Sequence, residues 1–408
     1  MGDYLIEFAI VVIGGGAALL LFWPRLANST IWRATVTPLA SIIGSGFLIL
    51  GPILVNAFGS YAVLAMALLC VAGYGFGAAI RFNIARLACN HPETFWLYQG
   101  ERVASWLLAF AYVISVAYYL NLLGAFAGRL FDHPSEHLPQ IITTFVYLII
   151  LYAGLGKGFG LLEWMEKLSV NIKLTIIAAL IAALAVYAGQ VWQTVDVSER
   201  AFPPMGFAAV PLLFGLIVTV QGFETSRYLG SEYSAPIRQA SMRLAQVIST
   251  IIYLAYIALL SVSFRNASFV PSETAIIDLM LGVSAILGPL LIIAALSSQF
   301  SAAIADTEGS GGLFEELTDG RFSAKGGYLL LVLIGVALTW AADIFEIVSY
   351  ASRAFALYYG LQAALAFERS RMMGQRERAP QLFSLILFAS LAALGLACAL
   401  LATPFEGA

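Results

Sequence analysis

Twelve apolar runs, at about 5–23, 35–57, 60–81, 103–130, 139–155, 168–189, 207–231, 239–263, 280–306, 326–342, 345–367 and 380–402, constrain this chain more than any other feature. Most of them approach the roughly 20 residues that a helix needs to cross a hydrocarbon core. The alternating ten-residue pattern of a membrane barrel is absent, so an all-α polytopic membrane protein is expected. Charged residues fill only 11% of the 408 positions, against about 25% in a soluble domain. The net charge of -3 is too weak to point to a charged macromolecular partner.

Lys and Arg give the orientation. With the loop at 24–34 placed in the cytoplasm, 17 of the 21 Lys and Arg residues fall on that side. Arg129, Arg200 and Arg265 fall on the other, and Arg353 lies within a helix. Both termini are then expected outside a plasma membrane, taken to be a bacterial inner membrane. The start, MGDYLIEFAI, lacks a basic n-region and carries Asp3 and Glu7, which argues against a cleaved signal peptide. Cys70, Cys89 and Cys398 are far apart and odd in number, and read as inert thiols.

Two of the runs carry a weak point. Gly44, Ser45 and Gly46 interrupt the run at 35–57, and Val220, Gln221 and Gly222 interrupt that at 207–231. Glycine loses more conformational entropy on ordering than other residues, so it is a poor choice for a helix interior. The first break lies on a helix that starts inside and the second on one that starts outside. Paired interruptions of this kind point to an inverted-repeat transporter and to its central site. Close helix packing is the plainer reading of either glycine cluster taken singly.

The residues around both breaks carry a resemblance. "IIGSGFLILGP" is similar to the first-helix signature of the amino acid–polyamine–organocation (APC) superfamily. "GFETSRYLGSEYSAP", with Gly222-Phe223-Glu224, Glu232 and Pro236, resembles that superfamily's sixth helix. "KLSVNIKLTII", with Lys173, resembles its fifth, and "SSQFSAAIADTEGSGGLFEELTDGRF" its eighth, although Thr318-Asp319-Gly320 lacks an expected arginine. The resemblance covers roughly residues 35–370. It implies a LeuT-like 5+5 inverted repeat, with one extra N-terminal helix and one C-terminal helix here. The expected units are an extra helix in 1–30, a first repeat in 31–190, a second in 207–370, and a C-terminal helix and tail in 378–408. Asp306 and Glu308 stand where the family more often has serine and arginine.

An unwound helix leaves N–H and C=O groups that hydrocarbon cannot satisfy, so they must line a polar cavity or meet a ligand. Amides at Gly44, Ser45 and Gly46, at the positive end of the following half-helix, suit a carboxylate. Carbonyls at Ile42, Ile43 and Val220 suit an ammonium, so an α-amino acid fits between them. Gly222 shapes the second break, and Phe223 is a candidate aromatic lid, with simple packing the plainer reading. The resemblance implies the same pose. It also implies that Lys173 stands where sodium-dependent relatives hold sodium, while Ser297, Ser298 and Ser301 are hydroxyls that would help to bind that ion. A snorkelling lysine is the alternative.

Among the other intramembrane charges, Glu224 and Arg227 are spaced to share one helix face and pair. Asp306 and Glu308 are expected to end the eighth core helix on different faces, and Arg353 needs an acidic or carbonyl partner. Structural pairing and cytoplasmic gating are the roles expected of all five. Direct contact of Glu224 with substrate would imply a cationic side chain on the solute. The cluster Asp132, His133, Glu136 and His137 reads as a solvated loop rather than a zinc site, given Pro134. Gly156, Gly158 and Gly160 look like a turn.

The expected function is secondary active transport of amino acids or related small solutes by alternating access, coupled to protons or running as ion-independent exchange. Partners are a small-molecule solute and the lipid bilayer, with no nucleic acid and no cofactor. An enzyme would need a nucleophile and base, or metal ligands, at one depth, and all three histidines fall in loops. A nucleobase, polyamine or inorganic cation as solute, sodium coupling, and a non-transporting sensor stay open alternatives.

Overall fold

The computed structural model describes residues 2–44, 46–88, 94–131, 135–156, 159–192, 209–230, 232–265, 272–377 and 382–405. Helices α1 (Gly2–Leu21) and α2 (Pro24–Ala27) precede α3 (Thr30–Gly44) and α4 (Phe47–Phe58), the halves of one interrupted segment. Then follow α5 (Ala62–Leu87), α6 (Phe95–Gly128), α7 (Leu138–Leu155) and α8 (Phe159–Trp192). The second interrupted segment comprises α9 (Ala209–Gly215), a 3-10 turn at Ile217–Val220 and α10 (Thr225–Tyr228). The chain continues through α11 (Ala235–Ser263), α12 (Ala275–Leu281), α13 (Leu287–Leu317), α14 (Ala324–Ala341), α15 (Ile344–Glu377) and α16 (Leu382–Leu401). No strand occurs among the described residues.

Nine stretches of the described residues are long and apolar enough to cross a bilayer. α9 and α10 fall short because they are pieces, and α15 because polar and charged residues, among them Glu346, Arg353 and Gln362, are spread along it. Helices also outrun the apolar sequence. α6, α8, α13 and α15 extend two to three turns past their predicted runs, since intrahelical hydrogen bonds persist where the chain leaves hydrocarbon. The predicted run at 280–306 is corrected in both directions. α12 ends at Leu281, the chain turns at Gly282–Ile286, and α13 then continues to Leu317. Asp306 and Glu308 therefore lie inside α13 rather than at its end.

Helix pairings come in matched sets. α5 packs on α11, α6 on α13, and α7 on α14. α8 packs on α11 and α13, as α15 packs on α5 and α6. The pairings made by the helices of the first half thus recur among those of the second. Outside it, α1 lies along α8 with Tyr4, Phe8 and Val11 exposed, and α16 lies along α15.

Candidate functional site

The two interruptions meet at the centre of the bundle. Gly46 approaches Thr219 so closely that a Cβ there would stand 2.7 Å from the Thr219 Cβ. Gly222 has φ +113°, and a Cβ on it would lie 2.4 Å from Ser41 Oγ and 2.7 Å from the Ile42 amide nitrogen. The Tyr253 hydroxyl, on α11, reaches both Ile42 O at 2.8 Å and Thr219 O at 2.7 Å. One phenol therefore ties the unwound carbonyls of both segments together. Tyr253→Phe is expected to lower stability by about 1–3 kcal/mol, read as the shift in thermal unfolding of the purified protein.

The carbonyl at Ile42, expected to be open to an ammonium, is thus held by Tyr253. Val220 leans on α5, 3.3 Å from the Cβ position of Gly73. Phe223 is fully buried and stacks on Tyr359 of α15, with centroids 5.0 Å apart. Gly44 O accepts from Gln299 Nε2 of α13 at 3.1 Å. Ser45 lies outside the described residues, as do Cys89, His91, Asp132, His133, Pro134, Lys157, Gly158, Arg200 and Arg378.

Lys173 is 1% exposed, which excludes snorkelling. Its Nζ donates to Ala40 O at 2.7 Å and to Ser298 Oγ at 3.4 Å, at the junction of α3, α8 and α13. The hydroxyls of Ser297 and Ser301 turn back to carbonyls of their own helix, at Ile293 (2.8 Å) and Ser298 (3.1 Å). Of the three serines, Ser298 contacts the ammonium.

The charge pairs differ from those expected. Glu224 sits in the turn before α10, where its Oε2 accepts from the Gly222 amide at 2.9 Å and the Tyr359 hydroxyl at 2.8 Å. Arg227 lies on α10 and turns to Glu101 of α6 and Gln362 of α15. The expected Glu224–Arg227 pair does not form, because the two residues do not share a continuous helix. Glu101 also accepts from Arg369 at 2.7 Å, so one carboxylate joins two guanidiniums on α10 and α15. Arg353 donates to Ala402 O, the carbonyl partner it needed. Asp306 is buried and accepts from the Ser115 hydroxyl of α6, while Glu308 faces a cavity. His137 lies beside Trp340, with centroids 5.9 Å apart.

That cavity, of about 710 Å³, is lined by Trp32 and Arg33 of α3, Tyr112 of α6, Thr225 of α10, and Glu308 and Gly309 of α13, among others. Exposed Glu232, Gly312 and Glu316 rim its mouth. Ile42, Ile43, Gly44, Gly46, Val220, Gly222 and Phe223 are all buried, and none of them lines it. Sequence reasoning missed Tyr112, Tyr119, Gln221, Tyr253 and Tyr359. The recurrent tyrosines of the long helices were the available signal, because a buried phenol needs a hydrogen-bond partner.

The profile of a family described as APC superfamily transporter matches residues 24–402. A relative in Aquifex aeolicus (strain VF5), described as an uncharacterized protein, is 42% identical over 381 residues, 90% of this chain and 89% of its own. The fold is similar to that of a Na+-coupled sialic acid symporter solved in a substrate-bound outward-open state. That comparison has 14% identity, coverage of 100% and 99% of the two chains, and TM-score 0.51. It is also similar to MHP1, a nucleobase-cation-symport-1 family transporter in a closed conformation with bromovinylhydantoin bound (13%, 90% of each chain, TM-score 0.51). A mutant of the Eremococcus coleocola manganese transporter aligns with TM-score 0.57 at 13% identity, over 91% and 87% of the chains. At these identities the solved structures speak for the fold alone. The profile match over residues 24–402 shows that the chain belongs to the APC superfamily of transporters, and the solved structures show that its fold is LeuT-like.

Proposed function

We propose that the chain is a secondary active transporter of amino acids or related small solutes, working by alternating access and coupled to protons through Lys173. The observation that carries this reading is the buried Lys173 ammonium, seated on Ala40 O and Ser298 Oγ beside the first break. Charging and discharging that amine would make and break the tie between α3, α8 and α13, so the proton and the helix would move together. The first turn of α4, with Gly46 at its start and no side-chain cap, offers amides to a carboxylate.

The cavity opens at the end of the bundle that the Lys and Arg count assigns to the cytoplasm, which makes this an inward-open state. Twelve crossings are obtained when each interrupted segment counts once and α15 is included. The repeats then run from 31 to 190 and from 207 to 370, and both termini lie outside a bacterial inner membrane. A metal ion at this place would have to displace Lys173 from Ala40 and Ser298.

Uptake into proteoliposomes, with a panel of amino acids as competitors and the outside pH varied, tests this function. Uptake is expected to be driven by an inward proton gradient, and Lys173→Ala should lose that pH dependence. Absence of competition by every amino acid would overturn the substrate class. An unchanged pH response in Lys173→Ala would remove the lysine from coupling.

A further inference from the structure

The half of the second interrupted segment that lies away from the cavity is held by the end of the chain. α10 lines the cavity through Thr225 and Tyr228, whereas α9 contributes nothing to its walls. α9 has seven residues, and irregular backbone at Gln221 and Gly222 cuts it off from α10. Such a piece can move without bending a continuous helix. Its main packing partners are α15 and α16. Ser352 of α15 donates its hydroxyl to Gly215 O at 2.6 Å and accepts from the Val218 amide at 3.1 Å, which fixes one end of α9.

Residues 402–405, which follow α16 without helical structure, fix the other end. The Thr403 amide donates to Pro211 O at 3.0 Å. Gly215 lies so close to this segment that a Cβ on it would collide with Thr403 O. Ala402 is 1% exposed, and its carbonyl accepts from the guanidinium of Arg353, the residue after Ser352 on α15. Phe405 packs edge-on against Phe345 of α15, with ring centroids 5.3 Å apart. No carboxylate pairs with Arg353 among the described residues, so loss of the Ala402 carbonyl would leave that cation poorly solvated. The guanidinium holds the terminal segment, and the terminal segment holds α9.

We infer that residues 402–405 are a clasp that keeps α9 on α15 while the cavity is open at the opposite end of the bundle, and that must let go before the outer side opens. The inference rests on the alternating-access reading and its sidedness, but not on Lys173 or on the identity of the solute. Loss of proton-driven uptake would count against the proposed function and leave the distances measured below untouched.

The test measures distances between spin labels by pulsed electron paramagnetic resonance, on the full chain in nanodiscs, with Cys70, Cys89 and Cys398 replaced by alanine and no solute or gradient present. One label pair is carried by Val210→Cys on α9 and Leu281→Cys on α12, both exposed positions. A second pair, Leu357→Cys on α15 and Leu396→Cys on α16, reports on the surrounding helices. Thr403→Pro removes the amide donor, Arg353→Met removes the guanidinium, and Gly215→Ala pushes Thr403 away. Each is expected to shift the ratio of shorter to longer α9–α12 distances by about 5-fold toward the longer, with the α15–α16 distance unchanged. Arg371→Gln, at an exposed position near the far end of α15, should alter neither pair. Unchanged α9–α12 distances in the folded variants overturn the inference, as does equal broadening of both pairs, which marks general loosening. The unsubstituted chain supplies a second measurement. Its Thr403 amide and the amides of α9 should exchange with deuterium at a common rate, because one opening exposes both. A Thr403 amide that exchanges far faster than those of α9 likewise overturns it.

Discussion

Gly222→Val is expected to leave little folded protein, and Gly222→Ala to lower the unfolding temperature sharply. At φ +113° any side chain is strained, which costs about 1–3 kcal/mol. The added carbon would also stand 2.4 Å and 2.6 Å from Ser41 Oγ and Cβ, and 2.7 Å from a backbone nitrogen that cannot rotate away. Overpacking of that kind costs about 1–3 kcal/mol more, and the sum is a large share of the roughly 5–15 kcal/mol that holds a typical domain folded. Gly44→Ala provides the contrast, since its nearest neighbours would lie at 3.3–3.6 Å and include the movable Lys173 Nζ. Its effect should fall on transport more than on folding. Recovery on gel filtration and unfolding temperature, compared for the three variants, check this ordering. A Gly222→Ala protein as stable as wild type would mean that the two breaks do not pack as described.

Glu101→Ala ranks second in expected effect. The carboxylate is the shared partner of Arg227 and Arg369, whose side chains are 9% and 5% exposed. Removing it leaves two guanidiniums facing each other at low dielectric, and breaking a buried pair in this way costs about 3–5 kcal/mol. The loss would fall where α6, α10 and α15 join, so it should destabilise the fold and also free α10 to move. Glu101→Gln should be milder, because an amide oxygen can still accept from one arginine. Combining Glu101→Gln with Arg227→Gln should recover part of the loss by removing one stranded charge. Thermal unfolding of the three variants measures this, and a double variant no better than Glu101→Gln would show that charge is not the cause.

Several elements could be read before any coordinates. The interrupted segments were legible at Gly44–Gly46 and Val220–Gly222 because helix propensity is local, although the cluster Gly14, Gly15 and Gly16 leaves α1 unbroken. Lys173 was legible as a charge inside an apolar run, but its burial was not, because a snorkelling side chain fits the same position. Arg353 was correctly expected to need a partner, and it found a carbonyl at Ala402. Helix ends were less legible. Hydrophobicity marks where hydrocarbon stops, whereas α13 and α15 stay helical beyond that point.

Partnerships lay beyond the sequence. The i,i+3 spacing of Glu224 and Arg227 suggested a pair, but that rule presumes a continuous helix, and α10 begins at Thr225. Glu101 and Arg227 are 126 positions apart, Asp306 and Ser115 are 191, and Tyr253 and Ile42 are 211. No local pattern encodes such contacts. Apolar periodicity and glycine placement thus dictated a bundle of membrane helices and the points where two of them break. That Gly222 seats against Ser41 and that one phenol ties both breaks arose only when distant helices packed. The physical reason is one of range: propensity and hydropathy act over a few residues, whereas a buried polar atom takes the partner that the whole bundle brings within 3 Å.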